Sequence, residues 1–247
     1  MEAETEGSAG HLNKGRELTR RAVDSALRAD NKGGASIWEL EGAFREEIFG
    51  QSDARERAIA GMNIAPDTPE AQEFGALVLA GSGDVKRAES LMQDLQKRFP
   101  FHTMVQSYWL PTIRAQIALV NKQPQQAIDI LRAALSVELG IPLSILGPPC
   151  LYPVYVQGEA YLALGQGSEA AAEFQKLLDH RGITWSCTTG ALARLGLGRA
   201  YALAGDKTKA HAAYQDFLAL WKDADPDIPI LKEAKAEYAK LKSSLVG

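Results

Sequence analysis

The residues with which this chain could do chemistry are four histidines, two cysteines and a scatter of acids. Their spacing decides what is possible. His11, His102, His180 and His211 are far apart, and none stands at helical spacing from a carboxylate, so no zinc set or acid–base pair forms locally. Asp223, Asp225 and Asp227 alternate like the opening of a calcium loop. That loop requires glycine where Ile228 stands and glutamate where Ala234 stands. These acids are therefore expected to cap and precede the final helix, whose positive amino end favours carboxylates. Phosphoryl transfer by a kinase needs a glycine-rich loop, a strand lysine and the H-R-D and D-F-G elements. His180-Arg181-Gly182 has glycine at the catalytic position, and Gly196-Leu197-Gly198-Arg199-Ala200-Tyr201 has tyrosine in place of the third glycine and reads as helix. No catalytic residue, metal or cofactor is expected, and the chain is not expected to be an enzyme.

With those chemistries set aside, bulk composition narrows the class. In 247 residues, 46% are hydrophobic, which supplies ample core. Net charge is −4, with 27 basic residues spread among 31 acids, so nothing resembles a footprint for nucleic acid. The first ten residues are acidic and contain glycine and serine, unlike a secretory signal. The longest uncharged stretch, 139–158, contains Pro142, Pro148, Pro149 and Pro153, which would break a membrane-spanning helix repeatedly. A soluble chain without membrane insertion is expected, in a compartment the composition does not name.

The main signal is repetition. Pro66 and Pro100 each close a helical segment and lie 34 residues apart, and Ala54 and Ala88 keep the same spacing. That is the period of the tetratricopeptide repeat, whose pattern is W-x2-L-G-x2-Y, A-x3-F and P. Its clearest copy here is Leu197-Gly198-Arg199-Ala200-Tyr201, Ala210 to Tyr214 and Pro226. A second runs from Gly158 to Tyr161 and Ala170 to Phe174. Weaker copies follow at Ala54 to Ala58, Ala88 to Met92 and Ala127 to Leu131, with Trp38 at the tryptophan position of the first. The residue types make physical sense. Two antiparallel helices need a small residue at their closest approach and a large one beside it.

These landmarks predict an all-α, right-handed α-solenoid of helix-turn-helix pairs at about 36–66, 68–100, 103–139, 150–182 and 188–226. A polar-backed helix at 228–245 closes its carboxyl end, carrying Leu231, Ala234, Tyr238, Leu241 and Leu245 on one stripe. Gly83, Gly165 and Gly205 mark turns between the two helices of a pair. A proline-rich insertion, 140–153, separates the third and fourth pairs. Segment 13–29 reads as the second helix of a pair, with Gly15 at the alanine landmark. Residues 1–12 lack the apolar stripe of a first helix and read as a flexible or partly helical remnant, so the array is expected to be truncated there.

The runs VQSYWLPTIRAQIAL, YPVYVQGEAYLALGQGSEAAAEFQKLLDHRGI and GALARLGLGRAYALAGDKTKAHAAYQDFLALWKDADPDIPILKEAKAEYAKL resemble the C-terminal tetratricopeptide region of bacterial eukaryotic-like serine/threonine protein kinases. The resemblance runs from about His11 onward. It implies a protein-interaction or sensing module that follows a kinase domain in a longer signalling protein, and it carries no kinase activity over to these residues.

In such an array the first helices of successive pairs line the concave face. Counting along them at helical spacing selects Glu39, Glu73, Trp109, Thr112, Gln116, Tyr152, Tyr155, Glu159 and Arg199 as candidate partner-binding residues. Chaperone cofactors of this fold clamp an acidic C-terminus with lysines and asparagines. Here Arg199 is the one cation among nine, so a neutral, apolar or basic peptide is the expected partner, with a small molecule in the same groove as the alternative. The competing expectation is that Trp109, Tyr152 and Tyr155 pack against the proline-rich insertion. Cys150 and Cys187 stand near the starts of first helices in adjacent pairs. That placement can make them spatial neighbours; buried or isolated thiols are the expectation, and a disulfide would require their α carbons within about 7 Å.

Overall fold

A computed structural model of the chain describes residues 2–140 and 150–246. Among them there is no strand, and the helices are α1 (Glu2–Ser8), α2 (Leu12–Arg28), α3 (Lys32–Ile48), α4 (Ala54–Ile64), α5 (Pro69–Gly81), α6 (Val85–Arg98), α7 (Leu110–Val120), α8 (Pro124–Leu131), α9 (Tyr152–Ala163), α10 (Gly167–Asp179), α11 (Arg181–Thr184), α12 (Thr188–Leu203), α13 (Lys207–Leu220) and α14 (Pro229–Val246). A π-helical stretch, Val105–Trp109, leads into α7, and a 3-10 turn, Arg132–Ala134, ends α8. Most of the proline-rich insertion, 141–149, lies outside the described residues, as do the side chains beyond 243, including Leu245.

The chain is an all-α solenoid. Within pairs, α3 packs on α4, α5 on α6, α7 on α8, α9 on α10 and α12 on α13. Between pairs, α3, α5, α7, α9 and α12 touch in succession and form an inner layer. Local chemistry fixes the turns. Gly83, Gly165 and Gly205 adopt φ values of 83°, 77° and 81°, left-handed positions that glycine takes without a Cβ penalty. In each, the next residue's N–H reaches a carbonyl five residues back, as Asp84 does to Leu79 at 2.9 Å. Lys122 stands at the same place between α7 and α8 with φ 59°, so the turn survives there at a steric cost.

Pair packing uses the small-against-large logic of the repeat. Phe174, fully buried, lies between Gly158 and Gly196, where a Cβ on either would come within 2.8 and 2.7 Å of its ring. Gly198 abuts Tyr214 in the same way at 3.0 Å. The thiols are not isolated. Cys150 and Cys187 are joined as a disulfide with α carbons 5.5 Å apart, which corrects the expectation of free thiols. Stacking of α9 on α12 brings the helix starts together, and the Thr189 hydroxyl donates to the Cys150 carbonyl at 2.8 Å.

The amino end is also more structured than its composition suggests. Residues 2–8 form α1, which packs on α2 and touches α12. No apolar stripe is needed, because the fully buried Arg45 of α3 threads between α1 and α2. Its guanidinium pairs with Glu4 and donates to the Thr19 hydroxyl at 3.0 Å. Gly7 and Gly15 make room for it, since a Cβ at Gly7 would collide with the Arg45 chain. Glu6 and His11, five residues apart across the following turn, meet at 2.6 Å, a pairing that helical spacing does not register.

The two ends of the array then meet. Trp221, 2% exposed, packs on Phe49 and Phe217 with ring centroids at 4.9 and 4.8 Å, and its indole N–H donates to the Ser8 carbonyl at 2.9 Å. Asp225 does not cap the final helix. Its carboxylate accepts the Asn13 backbone N–H at 2.7 Å in the first turn of α2, while its own N–H donates to the Gly10 carbonyl. Ile230 N–H reaches the Phe49 carbonyl at 3.3 Å, tying α14 to the end of α3.

Replacing Arg45 with Met should cost about 3–5 kcal/mol in urea unfolding, because Glu4 then loses its buried partner. Reducing the disulfide, which closes a separation of 37 residues, should cost about 3–4 kcal/mol by the chain-entropy relation, read as a lower midpoint with reductant than without.

Candidate functional site

The inner layer fills much of its own concave side. Phe44 of α3, Phe74 of α5, Trp109 and Tyr152 of α9 form one cluster, with centroid distances of 5.0 Å for Phe44–Tyr152, 5.4 Å for Phe74–Tyr152 and 5.6 Å for Trp109–Tyr152. Trp109 is therefore a packing residue, 7% exposed. Thr112 is fully buried and donates to the Tyr108 carbonyl at 2.6 Å. Glu73 is 5% exposed, and burial, followed by the charge of Glu70, pushes its carboxyl up to about 8. Glu39 turns away from the interior and pairs with Arg57 of α4 at 2.8 Å, in a network where Arg57 and Arg16 also bind the buried Glu46.

The other five candidates come together. Gln116, Tyr152, Tyr155, Glu159 and Arg199, drawn from α7, α9 and α12, line one cavity of about 410 Å³. Phe44, Glu47 and Ile48 of α3 form the facing wall, Leu77 of α5 adds to it, and Ile230 and Glu233 of α14 complete the rim. Glu47 was missed by counting from Glu39. The stripe Phe44, Glu47 and Ile48, at i, i+3 and i+4, is the readable signal, and it places the inner face of α3 about one residue later.

Charge inside this cavity is unevenly answered. Arg199 is held by Glu237 at 2.9 and 3.0 Å and by Glu233 at 3.3 Å, and Tyr214 also donates to Glu237 at 3.0 Å. Glu159 is raised above the ordinary carboxylate range by burial, with Arg199 opposing and Glu237 adding to the rise. The Glu47 carboxyl has no hydrogen-bond or ion-pair partner among the described residues. Burial first, and the charge of Glu159 second, push it from 4.5 up to about 8. Its oxygens lie against Gly81, where any side chain would collide with them.

The cavity combines apolar walls with titratable side chains. It offers aromatic and aliphatic walls, two carboxyls that burial discourages from ionising, and a guanidinium already engaged by its neighbours. It does not offer convergent nucleophiles, and among the described residues no group of three or more His, Cys, Asp and Glu side chains could hold a metal ion.

Comparison with known proteins identifies the kind of repeat. Residues 155–227 match the tetratricopeptide repeat family. That segment spans α9 to α13, including Tyr155, Glu159 and Arg199 of the cavity wall and the glycines around Phe174. No curated protein matches the chain. Among solved structures, a thermophilic tetratricopeptide protein of Thermus thermophilus is similar at a TM-score of 0.55 and 18% identity, covering 83% of this chain and 98% of that one. Similarity at that identity concerns the fold, and it extends well beyond the matched tetratricopeptide segment. No helix among the described residues is long and apolar enough to cross a membrane.

The Glu47 proton favours the folded state, because the folded value is higher than the unfolded one. That contribution is complete below about pH 4.5 and is lost as pH rises through about 8. Glu47→Gln should therefore match the wild type in melting temperature near pH 4 and exceed it at pH 9, by about 2–4 °C for each kcal/mol recovered. Scanning calorimetry at the two values checks this.

Proposed function

We propose that the chain is a protein-interaction module that takes a neutral or basic segment of a partner protein at the inner face of its tetratricopeptide array. The carrying observation is the cavity itself, where first helices of three pairs converge with α3 and α14 and leave Glu47 without a counter-charge. Arrays of this architecture use their inner surfaces for binding other chains. The walls supply aromatic area for an anchor, and the carboxyls of Glu47 and Glu159 offer an acidic tail no counter-charge. Arg199 adds nothing for such a tail, because Glu233 and Glu237 already hold it. This reading assigns no catalysis to the chain. A regulatory role in a signalling protein is part of the proposal and rests on the resemblance to kinase-linked repeat regions.

A second reading has its own observation. At about 410 Å³, with apolar walls beside polar groups, the cavity falls in the size range of small-molecule sites, so a sensing module for a small ligand is the alternative.

Selection of a random peptide library on the immobilised chain should enrich apolar sequences bearing lysine or arginine. Glu159→Lys should then weaken the selected peptides at least tenfold while the circular dichroism spectrum is unchanged. Enrichment of acidic peptides, or equal affinity in the variant, would overturn the assignment of this face.

A further inference from the structure

Resting on the interaction reading, we infer that the cavity is a socket for one lysine side chain of the partner, with Glu47 as the carboxylate that receives its ammonium group. Three structural facts select this chemistry. The space, about 410 Å³, is large enough to admit a long side chain in full. Its walls at Phe44, Ile48, Leu77 and Val156 are apolar, which suits a four-carbon stem. The Glu47 carboxyl at the end of α3 has no partner among the described residues, whereas the buried carboxylates Glu46 and Glu4 are each paired with arginine.

The groups facing Glu47 fix how binding proceeds. From α7 comes Gln116, from α9 Tyr152, Tyr155 and Glu159, from α12 Arg199, and from α14 Glu233, with Glu237 behind Arg199. Arg199 is drawn toward α14 by its two glutamates, so no resident cation neutralises Glu47. An entering ammonium group does so. The protonated Glu47 carboxyl loses its proton to solvent, and the resulting carboxylate pairs with the ammonium, so each binding event releases up to one proton. A compact ammonium with three donors can also reach Glu159, so one head group serves both carboxyls.

The partner is a protein and not a free amine, because the amide of Gln116 at the cavity edge can hydrogen-bond the flanking peptide backbone outside the socket. Free amines present only the stem and charge.

The test uses the full chain and three probes: N-acetyl-lysine methylamide, its norleucine counterpart, and n-butylamine. Calorimetry in two buffers of different ionisation enthalpy measures affinity and proton release together. The lysine probe should bind at least tenfold more tightly than the norleucine probe and than n-butylamine. It should release a substantial fraction of a proton at pH 7, and its affinity should rise with pH and level off above about pH 8. Glu47→Gln should remove both the proton release and the pH dependence, and Glu159→Gln should weaken binding while retaining proton release. Equal affinity for the norleucine probe, or proton release that persists in Glu47→Gln, would overturn the socket. Equal or tighter binding of n-butylamine would overturn a protein as the source of the amine. If the lysine probe fails while library-selected peptides still bind, the socket is wrong and the interaction reading stands. If both fail, the reading falls with it.

Discussion

The structure depends on the burial of Trp221. A linear solenoid leaves its two end faces to solvent and must cap each with polar surface. Here the last pair presents a large indole, and the cover comes from the opposite end of the chain: Phe49 packs on the ring, and Ser8 accepts its N–H. Once those contacts exist, α1, α2 and α14 have fixed places. Asp225 reaches the start of α2, and Ile230 reaches the end of α3. The ends of the inner layer are thereby tied to each other, and its concave side is confined instead of opening as a broad trough.

Confinement has a chemical consequence. Aromatic side chains that would line an open trough instead meet one another, and the Phe44, Phe74, Trp109 and Tyr152 cluster becomes core continuous with the Cys150–Cys187 bridge. What is left over is the volume beside that cluster, where Tyr155, Glu159 and Glu47 sit. A carboxyl in such a space loses hydration without gaining a partner that matches it, and its protonation rises toward the neutral range. The unusual titration of the site therefore traces to closure of the array.

Much of this was legible from residue types. The alanine and glycine landmarks, the aromatic residues opposite them and the glycine turns follow from helix packing rules that act within a few residues, and the structure realises them at Phe174, Tyr214 and Gly165. What could not be read depends on contacts between distant segments. Asp225 looks like a local cap and serves a helix more than two hundred residues earlier, and α1 looks like a polar remnant until Arg45 is seen to hold it. The site was partly legible for the same reason. Tyr152, Tyr155 and Glu159 lie on one stripe of one helix, so periodicity finds them, whereas the phase of α3 is set by packing against α2, α4 and α5 and places Glu47 inside in preference to Glu39.

Three acids of α3, of which Glu46 alone is fully buried, stand in different environments. Glu46 is shared by Arg16 and Arg57 and binds three helices together, so its charge is part of the fold. Glu41, closer to the Arg45–Glu4 pair, is raised well above the usual range by burial and by Glu4, and its Oε1 atom has no partner. Glu47 differs from both. It faces a cavity, its ionisation is opposed by burial and by Glu159, and nothing in the fold uses its charge. Glutamine would occupy the same volume without that opposition. A carboxyl in this position weakens the fold at rising pH and stands on the wall of a space large enough for a ligand, the two features on which the proposed socket rests.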